Sequence, residues 1–142
     1  MDREDSAVDN FVSDFGGDYY AKLYKDKGLT GGHAIILNPK TSEYYDEDVK
    51  QARLALAAFP DGLMLGGGVN NENACDFIEY GASHVIVTSY VFREGRLARD
   101  RLAAMENAVG RDRLVLDLSC RRCPDGSFRV VVPRIIFAPE FL

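Results

Sequence analysis

An α/β fold of about four strand–helix units is what this sequence predicts, with parallel strands covered by helices. Three observations carry the prediction. Apolar residues switch repeatedly along the chain between helical spacing and short uninterrupted runs. Those runs are bounded by glycine, proline or asparagine and are too short for helices. They are also nearly continuous in apolar residues, the pattern of strands buried on both faces rather than one.

The elements follow in order. Residues 1–10 read as a loose start. Over residues 18–27, Tyr20, Leu23, Tyr24 and Lys27 recur at helical spacing, and Gly28 ends the helix as a residue able to take positive φ. His33-Ala34-Ile35-Ile36-Leu37 is a strand between Gly31-Gly32 and Asn38-Pro39. Residues 46–59 are helix formers with Val49, Ala52, Leu56 and Phe59 on one face, stopped by Pro60-Asp61-Gly62. Leu63-Met64-Leu65 is a buried strand. Residues 71–80 predict a helix burying Ala74, Phe77 and Ile78 and closed by Gly81, and Val85-Ile86-Val87 is the next strand. Residues 97–109 place Ala98, Leu102, Met105 and Val109 on one stripe, with Gly110 beyond. Residues 114–118 are again a strand. Pro124-Asp125-Gly126 then turns the chain, and residues 128–132 return antiparallel to the neighbourhood of Ser119. Residues 133–142 lack clear periodicity and read as an atypical tail. Such a chain is either a small doubly wound domain or a piece of an eight-stranded barrel, which typically needs ~250 residues. Periodicity does not separate the two.

Composition narrows the function classes. A 142-residue chain that is 46% hydrophobic and 11% aromatic fits one globular domain. No apolar run approaches the ~20 residues of a membrane helix, so no membrane partner is expected. The first nine residues are acidic and polar, unlike an export signal or an organelle transit peptide. As written the protein is expected in the cytoplasm, and a plastid location requires an upstream transit segment. A net charge of −5 and a pI near 5.0 argue against a nucleic-acid partner. Three cysteines, Cys75, Cys120 and Cys123, are an odd number that fits a reducing compartment. Cys120-x-x-Cys123 lacks a second Cys or His pair at ligand spacing, so no metal is expected and the two thiols read as strand-mouth residues.

The most informative motif is Gly66-Gly67-Gly68, between the strand Leu63-Met64-Leu65 and the helix expected from residue 71. Glycines let main-chain N–H groups approach an anion closely, and a following helix start adds unpaired donors and the positive end of its dipole. About twenty residues on, Thr88 and Ser89 end the next strand and bring two hydroxyls alongside. Gly67, Gly68, Thr88 and Ser89 are therefore candidate ligands of one phosphate, and a phosphorylated small molecule is the expected partner. A plain strand-to-helix turn is the competing reading of the glycines. A dinucleotide site fits less well: Gly66-Gly67-Gly68-Val69-Asn70-Asn71 lacks the third glycine of G-x-G-x-x-G, and no acidic ribose ligand ends the next strand.

Several stretches together, Tyr19-Tyr20-Ala21-Lys22-Leu23-Tyr24-Lys25-Asp26, Gly66-Gly67-Gly68-Val69-Asn70, His84-Val85-Ile86-Val87-Thr88-Ser89-Tyr90-Val91-Phe92 and Arg113-Leu114-Val115-Leu116-Asp117-Leu118-Ser119-Cys120-Arg121, resemble one enzyme family. It is the eukaryotic phosphoribosylformimino-5-aminoimidazole carboxamide ribotide isomerase of histidine biosynthesis, in a plant-like form. The resemblance runs over residues 10–132. It implies a partial (β/α)8 barrel, roughly strands two to five with their helices and a terminal hairpin, forming one domain over residues 11–132.

The family rearranges an N-linked aminoaldose to an aminoketose, an Amadori rearrangement, without metal or organic cofactor. Its substrate carries two phosphates, and the resemblance puts Gly67, Gly68, Thr88 and Ser89 in one of two opposite phosphate grips. The reaction needs an acid to open the ribose ring and a base at C2. Bacterial relatives use one aspartate from the first strand and one from the fifth. The first strand has no counterpart here, and Ser119 stands at the position of the second aspartate, with Asp117 two residues earlier. Asp117 as acid and Ser119 as relay are the candidate catalytic pair, against a structural aspartate. His33 is a candidate substrate contact, against a core histidine, and Arg121 beyond the fifth strand is a candidate phosphate ligand, against a solvated side chain. Counterparts of strands six to eight and of the second grip are missing. Little or no activity is therefore expected of this polypeptide alone. The alternative is a non-catalytic phosphate-binding or assembly module, self-associating through an open sheet edge.

Overall fold

A computed structural model describes residues 13–131. The readings made for residues 1–10 and 133–142 lie outside them. Helix α1 (Gly17–Asp26) leads to β1 (Gly32–Ile35), α2 (Tyr45–Ala58), β2 (Leu63–Gly66), α3 (Ala74–Glu79) and β3 (Val85–Val87). A short hairpin of β4 (Phe92–Arg93) and β5 (Arg96–Leu97) precedes α4 (Arg99–Val109) and β6 (Leu114–Leu116). The last described strands are β7 (Ser119–Arg122) and β8 (Phe128–Val131).

The main sheet has four strands in the order β1-β2-β3-β6, all parallel. Each strand lies beside its predecessor in the sheet, without a reversal of order. Strand residues of one parity, Leu63 and Leu65 on β2 and Val85 and Val87 on β3, pack with Ala52, Ala55 and Leu56 of α2, Ala74 and Phe77 of α3, and Met105 of α4. The helices therefore cover one face. Ile86 is equally buried but belongs to the opposite face, where a Cβ on Gly66 would stand 2.8 Å from Ile35 Cδ1 and 3.2 Å from Ile86 Cβ. Gly66 is small because its two neighbours occupy its space.

The α2 face of Val49, Ala52, Leu56 and Phe59 packs as the spacing predicts, and so does the Ala98–Met105 stripe of α4. The α1 stripe does not. Leu23 and Tyr24 are 42% and 37% exposed, and Ala21 is the residue that α1 buries. Its contact with α2 is made through Gly17, where a Cβ would meet Gln51 O at 2.8 Å.

Two boundaries differ at the site. The helix expected from residue 71 starts only at Ala74 and is six residues long. The strand expected over residues 114–118 stops at Leu116, because β6 has a described neighbour only in β3. The chain then enters the antiparallel pair β7–β8, with Ser119 opposite Val131 and Arg121 opposite Arg129.

Candidate functional site

Leu65 of β2 is level with Val85 of β3 in a parallel pair. Gly67 and Gly68 therefore leave β2 at the same end of the sheet at which Thr88 and Ser89 leave β3. Asp117 joins them: its N–H donates to Val87 O at 3.0 Å, one residue beyond the β3–β6 pairing that ends at Val87 and Leu116. Five of the eight candidate residues thus gather at one end of three adjacent strands.

The two glycines are required for different reasons. Gly67 has φ +91°, and a Cβ there would stand 2.0 Å from Ile36 O, so its main chain lies flush against the end of β1. Gly68 has φ +66° and open space where a Cβ would be. Among the described residues, the N–H groups of Gly67, Gly68 and Val69 donate no hydrogen bond. The hydroxyls of Thr88 and Ser89 likewise make none among the described residues, Ser89 being exposed and Thr88 half-buried. Free N–H donors and hydroxyls at neighbouring strand ends are what a phosphate dianion accepts from.

The turn after the glycines is built from asparagines. Asn70 Oδ1 accepts from the N–H groups of Glu72 (2.8 Å) and Asn73 (3.2 Å), while Asn73 Oδ1 accepts from Asn70 N–H (2.9 Å). Asn73 Nδ2 donates to Gly68 O at 3.1 Å. These bonds occupy the donors that an earlier helix start would have left free, which corrects the expectation of a helix dipole aimed at the glycines. A one-and-a-half-turn helix starting at Ala74 adds little there.

Ser119 and Arg121 are not with the other five. Both lie on β7, exposed, in the hairpin that leaves the sheet beyond Asp117. Asp117 and Ser119, two residues apart, share no strand, because β6 ends at Leu116 and β7 begins at Ser119. His33 sits near the start of β1, opposite Met64, and lines a groove with Tyr20, Tyr24 and Leu63 beside α1. That is away from the strand ends. His84 Nδ1 lies 3.1 Å from Ser83 Oγ, which in turn donates to Leu63 O, so it is tied into the sheet. Cys120 is exposed on β7, and Cys123 N–H donates to Ser127 O across the hairpin.

Sequence reading missed the residues around the strand ends. Tyr90 O–H donates to Asn71 Oδ1, and Arg101 of α4 donates from Nη1 to Tyr90 O at 3.0 Å with its guanidinium 5.2 Å from the Tyr90 ring. The Asn70, Asn71 and Asn73 cluster was the available signal, since asparagines at that density mark side-chain-to-backbone turns. Nothing local flags Tyr90 or Arg101.

No family model matches the chain. It is, however, 48% identical over 128 residues to the chloroplastic 1-(5-phosphoribosyl)-5-((5-phosphoribosylamino)methylideneamino) imidazole-4-carboxamide isomerase of Medicago truncatula, covering 89% of this chain and 39% of that one. The isomerases of the same name from Yarrowia lipolytica and Saccharomyces cerevisiae are 43% identical over 129 residues and 41% over 131. Those matches take in 88% and 92% of this chain and 46% and 47% of the yeast proteins. The chain thus spans less than half the length of each of these curated relatives. Over most of its own length the chain is thus similar to part of these isomerases.

Proposed function

We propose that the chain is part of a (β/α)8 barrel and supplies one phosphate grip of a ribotide isomerase that converts an N-linked aminoaldose to an aminoketose. The observation that carries this is the convergence of Gly67, Gly68, Thr88 and Ser89 at one end of adjacent parallel strands, with their donors unspent. The sequential strand order with helices on one face supports the barrel, because doubly wound sheets reverse order at the ligand crevice. Ligands at the carboxyl ends of barrel strands are the general rule for that fold.

In this reading the main-chain N–H groups of Gly67 and Gly68 and the hydroxyls of Thr88 and Ser89 hold a phosphate as hydrogen-bond donors. Asp117, beside Thr88, is the acid that protonates the ring oxygen as the ribose opens, with the base drawn from outside the described residues. Ser119 and Arg121 take part only if the β7–β8 hairpin folds back over the strand ends. His33, exposed on the edge strand β1 and away from these strand ends, is left out of the grip. A plastid location is proposed on the likeness to the Medicago enzyme, which is chloroplastic.

The test is equilibrium binding and turnover of the bis-phosphorylated ribotide by the 142-residue chain. Binding without turnover is expected, since four parallel strands do not close a barrel. Absence of binding contradicts the grip, and turnover at rates typical of enzymes contradicts the division of labour proposed here.

One observation favours a second reading, an assembly module. The outer strands β1 and β6 carry Ile35, which is 49% exposed, and Leu116, 37% exposed, and Leu37 and Leu118 beyond them are 84% and 45% exposed. Apolar edge strands of that kind pair with another chain.

A further inference from the structure

We propose that Tyr90 and Asn71 form a latch that sets the distance between the two halves of the phosphate grip, with Arg101 as its anchor. The proposal rests on the grip reading above and extends it to three residues outside the grip. The glycine half hangs from the end of β2 and the hydroxyl half from the end of β3. Those strands share one paired position, Leu65 with Val85, and past it the sheet places no bond between the two loops. Yet donors on both loops must reach one phosphate to within a few tenths of an ångström for their hydrogen bonds to form together.

The Tyr90 hydroxyl supplies the missing tie. It crosses from the loop after β3 to Asn71 Oδ1 in the loop after β2, and among the described residues it is the one hydrogen bond joining these two loops. Each end is fixed on its own side. Asn71 sits between Asn70 and Asn73, whose side chains bond the turn to itself. Tyr90 is held by the Arg101 guanidinium, which bonds its carbonyl and lies against its ring. Arg101 comes from α4, which is packed into the core through Met105. The latch therefore refers the grip to the rigid part of the molecule. None of the three side chains needs to touch the phosphate, so they are positioning residues.

The experiment is calorimetric titration of the 142-residue chain with inorganic phosphate, for the wild type, Tyr90→Phe, Asn71→Ala and the double variant. Each single change removes one hydrogen bond and is expected to weaken phosphate roughly threefold to tenfold. The double variant is expected to be no weaker than either single one, because both remove the same tie. Thermal unfolding measured alongside is expected to move little, since the bond is at the surface. Arg101→Lys, which keeps the charge and loses the planar contact, is expected to fall between wild type and Tyr90→Phe. If the wild type binds no phosphate, the grip reading fails. If the wild type binds and Tyr90→Phe binds equally well, the grip stands and the latch is wrong. Additive losses in the double variant would also overturn the latch, as would a loss of affinity that follows unfolding.

Discussion

At the scale of single residues, the two candidate glycines make opposite predictions that separate architecture from ligand binding. Gly67→Ala puts a methyl group against Ile36 O at a positive φ, and is expected to cost more than about 3 kcal/mol of stability in urea unfolding. Gly68→Ala meets only its own φ of +66° and is expected to cost about 1 to 2 kcal/mol. Its phosphate affinity is expected to drop although the fold persists. The glycine triplet was legible in the sequence as a special site, but its division of labour was not. A glycine letter does not say whether a neighbour's main chain, a neighbour's side chain or a ligand occupies the missing Cβ position, and here Ile36, Ile35 and open space each account for one of the three. Asp117 entered only through the resemblance, as the acid two residues before the position of the family's second aspartate. Ser119 was likewise taken from the resemblance and Arg121 from its place just beyond the expected strand, and the turn of the chain into a separate hairpin after Asp117 was not foreseen there.

At the scale of elements, the turn before α3 and the hairpin before α4 shape the two walls of the site. Asn70→Ala removes the acceptor for two N–H groups and is expected to cost about 1 kcal/mol, the usual worth of a cap, with chemical-denaturation midpoints as the readout. The β4–β5 hairpin is closed by Glu94 and Gly95, both at positive φ, and is tied to α4 by Arg93 and Asp100 at 3.0 Å. The Arg93 guanidinium bonded to Asp100 holds its carboxyl below the ordinary carboxylate range, with smaller help from the Arg101 N–H. A folded-state pKa below the unfolded one means that the stabilisation is present above the unfolded value and lost as pH falls through the folded one. Melting temperatures of wild type and Asp100→Asn are accordingly expected to differ slightly at neutral pH and to converge below about pH 4. A constant gap across that range would contradict the pairing.

The same scale shows why some elements were readable. Helices α2 and α4 have three or more turns of apolar spacing and came out within two residues. Helix α3 was started too early because Asn71, Glu72 and Asn73 are compatible with a helix in composition, while their neighbours' side chains bond the backbone into a turn instead. The hairpin β4–β5 was missed because two-residue strands are too short to show alternation.

At the scale of the whole molecule, periodicity left a doubly wound sheet and a piece of a barrel open, and the coordinates add that each strand lies beside its predecessor, an order compatible with part of a barrel. The described sheet ends at β1 and β6 with apolar side chains exposed, and sedimentation of the 142-residue chain is expected to show concentration-dependent association. Leu37→Lys, at a residue 84% exposed, is expected to reduce that association without lowering the melting temperature. A monomer at all concentrations would contradict the edge-pairing reading. The central claim, that two neighbouring strand ends share one phosphate, is tested most directly by amide NMR of the chain during titration with inorganic phosphate. The resonances of Gly67, Gly68, Thr88 and Ser89 are expected to shift together on one saturating isotherm. Shifts confined to one of the two loops, or absent from both, would contradict it.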